Sequence, residues 1–339
     1  MSEMGKQRVN SIDAGRLVMA LLVLTYHCRP WDGMQGIALP RILSLFTGTA
    51  VSYFFLVSGF FIFRDMEFPL RTEDKGRLIR ALCLQLRQYL LWSLFYLPFS
   101  IYGEAAVYHR TPLKAAVDII WGIVVLGRNY LSWHLWYLMA LMVSGLFVFF
   151  LARAGLRERG MTGLAAVFFV VGRVLDVLSG FHGYPGERLV EGYFTVFGST
   201  YNALFSGFFF VSLGLYAANH MSERRKIVLA SGAAGLGIAA YLFYDLYLTA
   251  NLLLAGCIFC IFLWILEIRS ADSPIFPFIK EMSRMIYFIH LFFYGIFTIM
   301  ITGGNVNPVK TFLYTFTATV IVSAAEAWYR TLRNWRRKK

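Results

Sequence analysis

The sequence is poor in charged residues and has no long polar stretch. Only 15% of its 339 residues are Asp, Glu, Lys or Arg, whereas 58% are hydrophobic. Soluble domains usually have about 25% charged and about 45–50% apolar residues. This composition excludes an ordinary soluble protein and leaves no room for a separate soluble domain. We therefore expect residues 1–339 to form one all-α membrane domain that ends in a basic tail, 330–339.

Cysteine is also scarce, and its positions do not favour redox or metal chemistry. Two of the four cysteines, Cys257 and Cys260, have C-x-x-C spacing, but they lie within the apolar run NLLLAGCIFCIFLWIL. Small packing side chains are the expected residues there, so we predict no metal site. A cleavable signal peptide is not expected, because Arg16 interrupts the first apolar run and no small-residue cleavage site follows it.

Long apolar runs are abundant, and they predict a polytopic helix bundle. A helix needs about 20 mainly apolar residues to cross a bilayer. Ten runs meet this requirement, at 11–29, 42–63, 81–102, 133–152, 162–180, 198–218, 227–247, 249–268, 285–302 and 310–329. The segment 112–128 is apolar but shorter, and we interpret it as an interfacial or re-entrant piece on the outer side.

The positions of the basic residues predict the orientation. The net charge of +13 comes mainly from Lys and Arg clusters that lie between the apolar runs. The positive-inside rule produces this distribution when both termini are cytoplasmic, so the charge does not indicate nucleic-acid binding. An eleventh span at 112–128 would place the basic tail outside. Charge therefore favours ten spans.

The first predicted span contains Arg16 and His27, two residues that are costly in a bilayer. A charge at the membrane centre costs from about 3 to more than 10 kcal/mol, which makes ionisable residues there candidates for function. The two are 11 positions apart, so they share nearly the same helix face and lie roughly 16 Å apart along the axis. Asp13 is spaced to pair with Arg16. A snorkelling Arg16 and a packing His27 are the structural alternatives.

Polar residues in other spans give weaker candidates. Ser283, Tyr287 and His290 follow i, i+4, i+7 spacing and share one face of the ninth span. Arg173 and Asp176 predict an ion pair in the fifth span, which is either structural or faces an acceptor. An internally hydrogen-bonded histidine is the alternative for His290.

Aromatic and basic residues complete the candidate set. Trp133, His134 and Trp136 open the fourth span at the outer interface, where Trp usually serves as an anchor. Ser58 and Gly59 in the second span permit close approach by another helix or a thin ligand. A basic segment follows that span and either sets orientation or docks a phosphorylated cytosolic ligand; its members are Arg64, Arg71, Lys75, Arg77 and Arg80.

In the same order along the chain, these stretches resemble the acyltransferase-3 family of integral-membrane acyltransferases. The matching motifs are D-x-x-R with R-x10-H (Asp13, Arg16, His27), FFLVSGF, HLWYLMAL and IYFIH. The layout is similar to that of enzymes that O-acetylate enterobacterial common antigen. The first span is also similar to the membrane half of serine racemases, but we expect no racemase domain here.

The resemblance implies transfer of an acyl group, commonly acetyl from cytosolic acetyl-CoA, to a hydroxyl of a cell-envelope glycan. Arg16 and His27 match residues critical in the family. We expect His27 to act as general base, Arg16 and the basic segment to bind CoA, and His290 with Tyr287 to assist the oxyanion or orient the acceptor. Trp133, His134, Trp136 and Arg173 are expected acceptor contacts. No metal is expected.

The expected partners are the bilayer of a bacterial inner (plasma) membrane, acyl-CoA, and a surface glycan or lipid-linked saccharide. The sequence is compatible with a homo-oligomer and names no particular acceptor. Acceptor-facing loops are expected around 103–132 and 181–197. A proton- or anion-coupled transporter or flippase is the rival function, although matched broken helices, a common transporter signature, are not evident.

Overall fold

All regular structure in the described residues is helical, as predicted. The computed structural model describes residues 10–32, 34, 36, 38–66, 68, 70–220, 226–268, 270, 273, 275–301 and 307–336. The α-helices in these residues are α1 Asn10–Cys28, α2 Ala38–Gly48, α3 Ala50–Phe63, α4 Thr72–Tyr102, α5 Pro112–Trp121, α6 Trp136–Arg153, α7 Glu158–Leu178, α8 Glu187–Phe197, α9 Phe208–His220, α10 Lys226–Leu242, α11 Tyr247–Leu266, α12 Ile275–Gly295 and α13 Pro308–Arg336.

Short π-helical and 3-10 segments adjoin several of these helices. They are Gly103–Val107 after α4, Gly122–Leu126 after α5, Trp133–Leu135 before α6, Ala203–Gly207 before α9 and Ile296–Ile301 after α12. The Asn202 side chain begins the segment before α9, since its Oδ1 accepts hydrogen bonds from the backbone N–H groups of Leu204 and Phe205.

Eight helices in the described residues are long and apolar enough to cross a bilayer, which makes the chain a multi-pass membrane protein. They are Asn10–Cys28, Ala38–Phe63, Glu73–Val107, Trp133–Arg153, Glu158–Leu178, Ala203–His220, Tyr247–Leu266 and Ile275–Ile301. The third begins well before the predicted residue 81, because the residues of the basic segment after Arg71 continue the helix. As a result, Lys75, Arg77 and Arg80 lie on α4.

The remaining two predicted spans are also helical, but they do not belong to these eight. The apolar part of α10, Val228–Leu242, is shorter than a full span. Helix α13 is long enough, but it carries many hydroxyl side chains and ends in charged residues. The ten-span count and the cytoplasmic termini therefore stay predictions. Segment 112–128 forms only α5 and its short π-helical extension, which agrees with a piece too short to span.

The chain divides into two compact units. The terminal unit consists of Met1–Phe54 with Cys260–Lys339, and the central unit of Phe55–Phe259. In the terminal unit, α12 packs against α1 and α13. A buried cluster joins α1 to α12 through Ala20, Leu24, Cys28 and Ile286. This three-helix packing fixes the two helices that carry the candidate histidines.

The central unit contains a very close contact between α3 and α9. A Cβ atom on Gly59 would lie 2.2 Å from the carbonyl oxygen of Val211, and one on Gly214 would lie 2.2 Å from that of Leu56. Real Cβ atoms essentially never approach so closely. The two glycines therefore let the backbones of α3 and α9 touch. The prediction that Gly59 permits close helix approach is confirmed.

Candidate active site

The structure brings His27 of α1 and His290 of α12 into direct contact. Their rings are stacked with centroids 5.2 Å apart and planes inclined by 27°. His290 is completely buried, whereas His27 keeps part of its surface accessible. A reactant could therefore contact His27, whose ring is supported on one face by His290. Sequence analysis selected each histidine separately but not the pair.

His290 is held in one orientation by its own helix. Its Nδ1 lies 3.0 Å from the carbonyl oxygen of Ile286 and 2.9 Å from that of Tyr287. Carbonyl oxygens only accept hydrogen bonds, so Nδ1 carries a proton and, in the neutral ring, the lone pair is on Nε2. His290 therefore offers His27 a ring whose position and tautomer are fixed.

Tyr287, the neighbouring candidate, lies against this pair. Its ring centroid is 6.4 Å from that of His290 and 5.7 Å from that of Phe54. Ser283 shares the buried face but donates its hydroxyl hydrogen to the carbonyl of Lys280. Tyr287 and His290 therefore lie together as expected, whereas the Ser283 hydroxyl is hydrogen-bonded to the backbone of its own helix.

Arg16 and Asp13 form the ion pair that their spacing predicted. The Nη1 atom of Arg16 is 3.1 Å from Oδ1 of Asp13. Tyr53, which sequence analysis did not select, lies within electrostatic range of this pair. Its hydroxyl is buried, has no hydrogen-bond partner among the described residues, and lies where a Cβ atom of Gly15 would be. The absence of a side chain at Gly15 gives the tyrosine this place.

The face of α1 between Arg16 and His27 is covered. Ala20 and Val23 lie on this face and are 0% and 2% exposed. Both end residues keep accessible surface, but no open groove on α1 joins them within the described residues. A thin ligand lying along this face would have to displace the side chains that cover Ala20 and Val23.

The basic segment lies in the central unit, and two of its members are in contact. Nη2 of Arg77 donates a hydrogen bond of 3.1 Å to the carbonyl oxygen of Arg64, and Nη1 lies 3.5 Å from Oδ1 of Asp74. Three cations of the segment are exposed, and two are half-buried; the exposed ones are Arg71, Arg77 and Arg80. The segment thus presents guanidinium groups outward.

The aromatic group at the start of α6 is more buried than an interfacial anchor would be. His134 is 2% exposed and makes a T-shaped contact with Tyr96, with ring centroids 5.2 Å apart. Trp136 is half-buried and packs on Phe55 at 5.6 Å. The role of His134 in acceptor binding stays a prediction, as do those of Trp133 and Trp136.

Arg173 and Asp176 form the predicted ion pair and belong to a larger network. Nη2 of Arg173 lies 3.3 Å from Oδ2 of Asp176 and donates a 2.5 Å hydrogen bond to Oγ1 of Thr200. Thr200 donates in turn to Asp176, with its Oγ1 2.6 Å from the nearer carboxylate oxygen. Tyr247 donates to Asp176 at 2.9 Å. The Arg173 guanidinium also stacks on the Tyr201 ring, 4.1 Å from its centroid.

Sequence analysis missed several residues of these sites: Tyr53, Thr200, Tyr201, Tyr247 and Gly214. Each acts through a partner distant in sequence, such as Asp176 for Tyr247. Hydroxyls and glycines are ordinary in membrane helices, so spacing alone could not select them.

Charged side chains also link α12 to α13. Nη2 of Arg284 lies 2.7 Å from Oε2 of Glu281, and Arg330 contacts both Glu281 and Glu326. Glu326 and Arg330 are one helical turn apart on α13 and form an ion pair. Because the four charges alternate in sign, the cluster braces the two helices.

One exposed group in the described residues has metal-ligand atom types close together. Ligand atoms of His182, Glu187 and Glu191 lie within 4.8 Å of one another. His182 and the backbone N–H of Gly183 are already hydrogen-bonded to the Glu187 carboxylate, at 2.8 and 2.9 Å. These bonds stabilise the loop before α8. The expectation that the protein uses no metal stays a prediction.

A known family model covers the stretches of the chain that carry these motifs. The family model of the acyltransferase-3 family, described as an acyltransferase domain, matches residues 9–326, nearly the whole chain. The chain belongs to the acyltransferase-3 family. Its acyltransferase domain therefore includes the stacked histidines, the Arg16–Asp13 pair and the Arg173 network.

Curated relatives share only part of their length with this acyltransferase. A serine/alanine racemase of Enterococcus gallinarum is 26% identical over 217 residues, which is 64% of this chain and 30% of the relative. Two amino-acid racemases of Enterococcus faecalis are 26% and 24% identical over 48% and 44% of this chain. The chain thus spans less than a third of the length of these relatives. No solved structure matches it.

Proposed function

We propose that this protein transfers an acetyl group from cytosolic acetyl-CoA to a hydroxyl of a cell-envelope glycan, with His27 as general base. The observation that carries the proposal is the contact between accessible His27 and buried, oriented His290 within an acyltransferase domain. Ten spans with both termini in the cytoplasm of a bacterial inner membrane complete the proposal. In this orientation the donor binds from the cytoplasmic side and the acceptor from the outer side.

The chemistry needs a base and a means to stabilise the oxyanion. In the proposed reaction, His27 takes the proton of the acceptor hydroxyl as its oxygen attacks the thioester carbonyl carbon. The carbon–sulfur bond then breaks, and the CoA thiolate takes the proton from His27 and leaves as the thiol. His290 limits the rotation of the His27 ring through their stacking. An acyl-histidine intermediate on His27 is the alternative route.

Donor binding would use the cationic side chains. Arg16 is partly exposed and oriented by Asp13, so its guanidinium can receive phosphate or the pantetheine arm. The exposed guanidinium groups of Arg71, Arg77 and Arg80 would add attraction for the CoA phosphates. We propose that binding of the arm uncovers the face of α1 at Ala20 and Val23.

Radiolabelled acetyl-CoA and purified full-length protein test this function. His27→Ala should lower acetyl transfer to an envelope glycan extract by about 10²- to 10⁴-fold, the usual contribution of a general base, while CoA still binds. Arg16→Lys should mainly weaken CoA binding, because lysine lacks the planar fork of donors.

The matched control is His220→Ala, which removes a histidine at the end of α9 that pairs with Glu158. Its transfer rate should equal that of the wild type. Full activity in both His27→Ala and Arg16→Lys would contradict the mechanism. Failure of the wild type to cleave or transfer from acetyl-CoA would contradict the function itself.

A further inference from the structure

Two exposed tyrosines lie over the Arg173–Asp176 pair of the central unit. Tyr201 is 46% exposed and Tyr247 is 39% exposed, yet both contact this internal ion pair. We propose that the two rings form a saccharide-binding platform that receives the hydroxyl-bearing acceptor. The identity of the ligand as an acceptor rests on the proposed function, whereas the platform itself rests on the contacts below.

The ion pair beneath the rings is incompletely satisfied within the protein. Arg173 is 0% exposed, and its Nε is buried without a hydrogen-bond partner among the described residues. Its Nη2 contacts Thr200, Asp176 and, at 3.5 Å, Ser206. A buried ion pair is often no more stabilising than apolar side chains of similar volume. Stabilisation of the fold therefore does not explain why this ion pair is buried here, whereas a role in orienting the two tyrosines does.

The network fixes the direction of both tyrosine hydroxyls. Tyr247 donates its hydrogen to Oδ2 of Asp176 at 2.9 Å, and Tyr201 donates to Oδ1 of Asn251 at 3.3 Å. Asn251 is itself held, because its Nδ2 donates to the carbonyl oxygen of Tyr247 at 2.8 Å. With both hydrogens committed, the hydroxyl oxygens offer only lone pairs to a ligand. The platform thus suits a ligand that donates hydrogen bonds, such as a polyol.

Charge and ring chemistry narrow the ligand further. Arg173 and Asp176 neutralise each other, so the ion pair beneath the rings does not favour an anion or a cation. Aromatic faces are negative and attract the weakly positive C–H groups of a pyranose ring. Neutral saccharides combine such C–H faces with many hydroxyl donors. They are therefore the class of ligand that this surface fits.

The platform is built from the ends of three elements. Asp176 lies in the last turn of α7, Tyr201 lies in the connection before α9, and Tyr247 begins α11. In the predicted ten-span orientation, all three ends are on the outer side of the membrane. An envelope acceptor would be met on that side.

The test measures saccharide binding directly. Purified full-length protein is applied to an array of immobilised neutral oligosaccharides that includes glucans, galactans and N-acetylhexosamine oligomers. We expect wild-type binding to at least one of them. The double variant Tyr201→Ala/Tyr247→Ala should weaken it about tenfold or more, because both stacking faces are lost. Tyr201→Phe/Tyr247→Phe keeps the rings but not the oxygens, and should give a smaller loss.

A control and a stability measurement separate binding from folding. Tyr329→Ala removes an exposed tyrosine of α13 and should bind like the wild type. The thermal unfolding midpoint of each variant shows whether it is folded, because Tyr247 belongs to the Arg173 network and its loss should lower stability. If the alanine pair does not fold, the phenylalanine pair decides, and undiminished binding there would contradict the platform.

Absence of any saccharide binding by the wild type would overturn the proposal, as would equal binding by a folded alanine pair. Acetyl-CoA cleavage in the same preparations tests the proposed function independently. Saccharide binding that depends on the tyrosines, without acetyl transfer, would leave the platform standing and remove the function.

Discussion

The histidine pair of the terminal unit and the arginine network of the central unit are held together by different interactions. His27 and His290 meet through their ring faces, and Nδ1 of His290 is hydrogen-bonded to the backbone of its own helix. The Arg173 network instead links four side chains through short, charge-assisted bonds. These bonds fix the orientation of the four side chains, and a substitution that removes one of the charges would break them.

This contrast predicts that the two regions respond differently to substitution. Changes in the network should reduce stability, and changes in the histidine pair should mainly reduce turnover. The four predictions below run from the largest expected effect to the smallest.

Arg173→Met should be the most destabilising change. It leaves the mostly buried Asp176 without its cation, a loss that typically costs about 3–5 kcal/mol. Thermal unfolding of the purified protein measures the effect. Arg110→Met is the matched control, because Arg110 is half-exposed in a 3.7 Å pair with Asp118. That control should change stability by less than about 1 kcal/mol. Equal effects of the two substitutions would remove the distinction between the network and a surface pair.

Gly15→Ala should destabilise the terminal unit by about 1–3 kcal/mol, the usual cost of overpacking. The added Cβ would lie 2.2 Å from the hydroxyl oxygen of Tyr53. Tyr53→Phe in the same chain should recover part of the loss. Gly163→Ala is the control, since nothing outside its own turn of the helix lies within 4 Å of its Cβ position. Equal unfolding temperatures of the Gly15→Ala and Gly163→Ala proteins would contradict the close packing of Tyr53 on α1.

His290→Phe should lower the acetyl-transfer rate by about tenfold, or about 1.4 kcal/mol, and leave the unfolding midpoint nearly unchanged. Phenylalanine keeps a ring against His27 but cannot hydrogen-bond to Ile286 and Tyr287. His220→Phe is a matched control, because His220 stacks on Tyr216 at 4.5 Å. An unaltered rate in His290→Phe would mean that His290 only packs.

The smallest effect concerns pH and the loop before α8. A hydrogen bond from the backbone N–H of Gly183, and then one from His182, lower the pKa of Glu187. A lowered folded-state pKa stabilises the loop at pH values above the ordinary pKa of glutamate, about 4.3, and this contribution is lost as the pH falls through the folded value. Protection of the Gly183 amide from hydrogen exchange should therefore decrease in acid. Glu187→Gln should remove this pH dependence.

Local features of the fold were predictable from sequence, because they depend on neighbours along a helix. The pairs Asp13–Arg16 and Arg173–Asp176 follow from spacing alone, and both are present. Apolar runs located the helices, although α4 begins earlier than its apolar run because charged residues extend it. The resemblance to the acyltransferase-3 family, carried by motifs spread over the chain, is confirmed.

Contacts between distant segments were not predictable. His27 and His290 were separate candidates, since no rule of spacing connects residues on α1 and α12. Tyr53 could not be selected, because its significance depends on the absence of a side chain at Gly15. Tyr247 likewise begins a helix like many tyrosines at membrane boundaries, and only the fold shows that it bonds Asp176.

The contact between Gly59 of α3 and Gly214 of α9 has a thermodynamic consequence. Where backbone meets backbone, there are no side-chain rotamers to freeze, so this seam forms without the entropy cost that other helix contacts incur. Its separation is also fixed by covalent geometry and not by adaptable side chains. We expect α3 and α9 to keep a constant distance there while neighbouring helices fluctuate. Spin labels on other helices could use this seam as the reference against which motion during donor binding is measured.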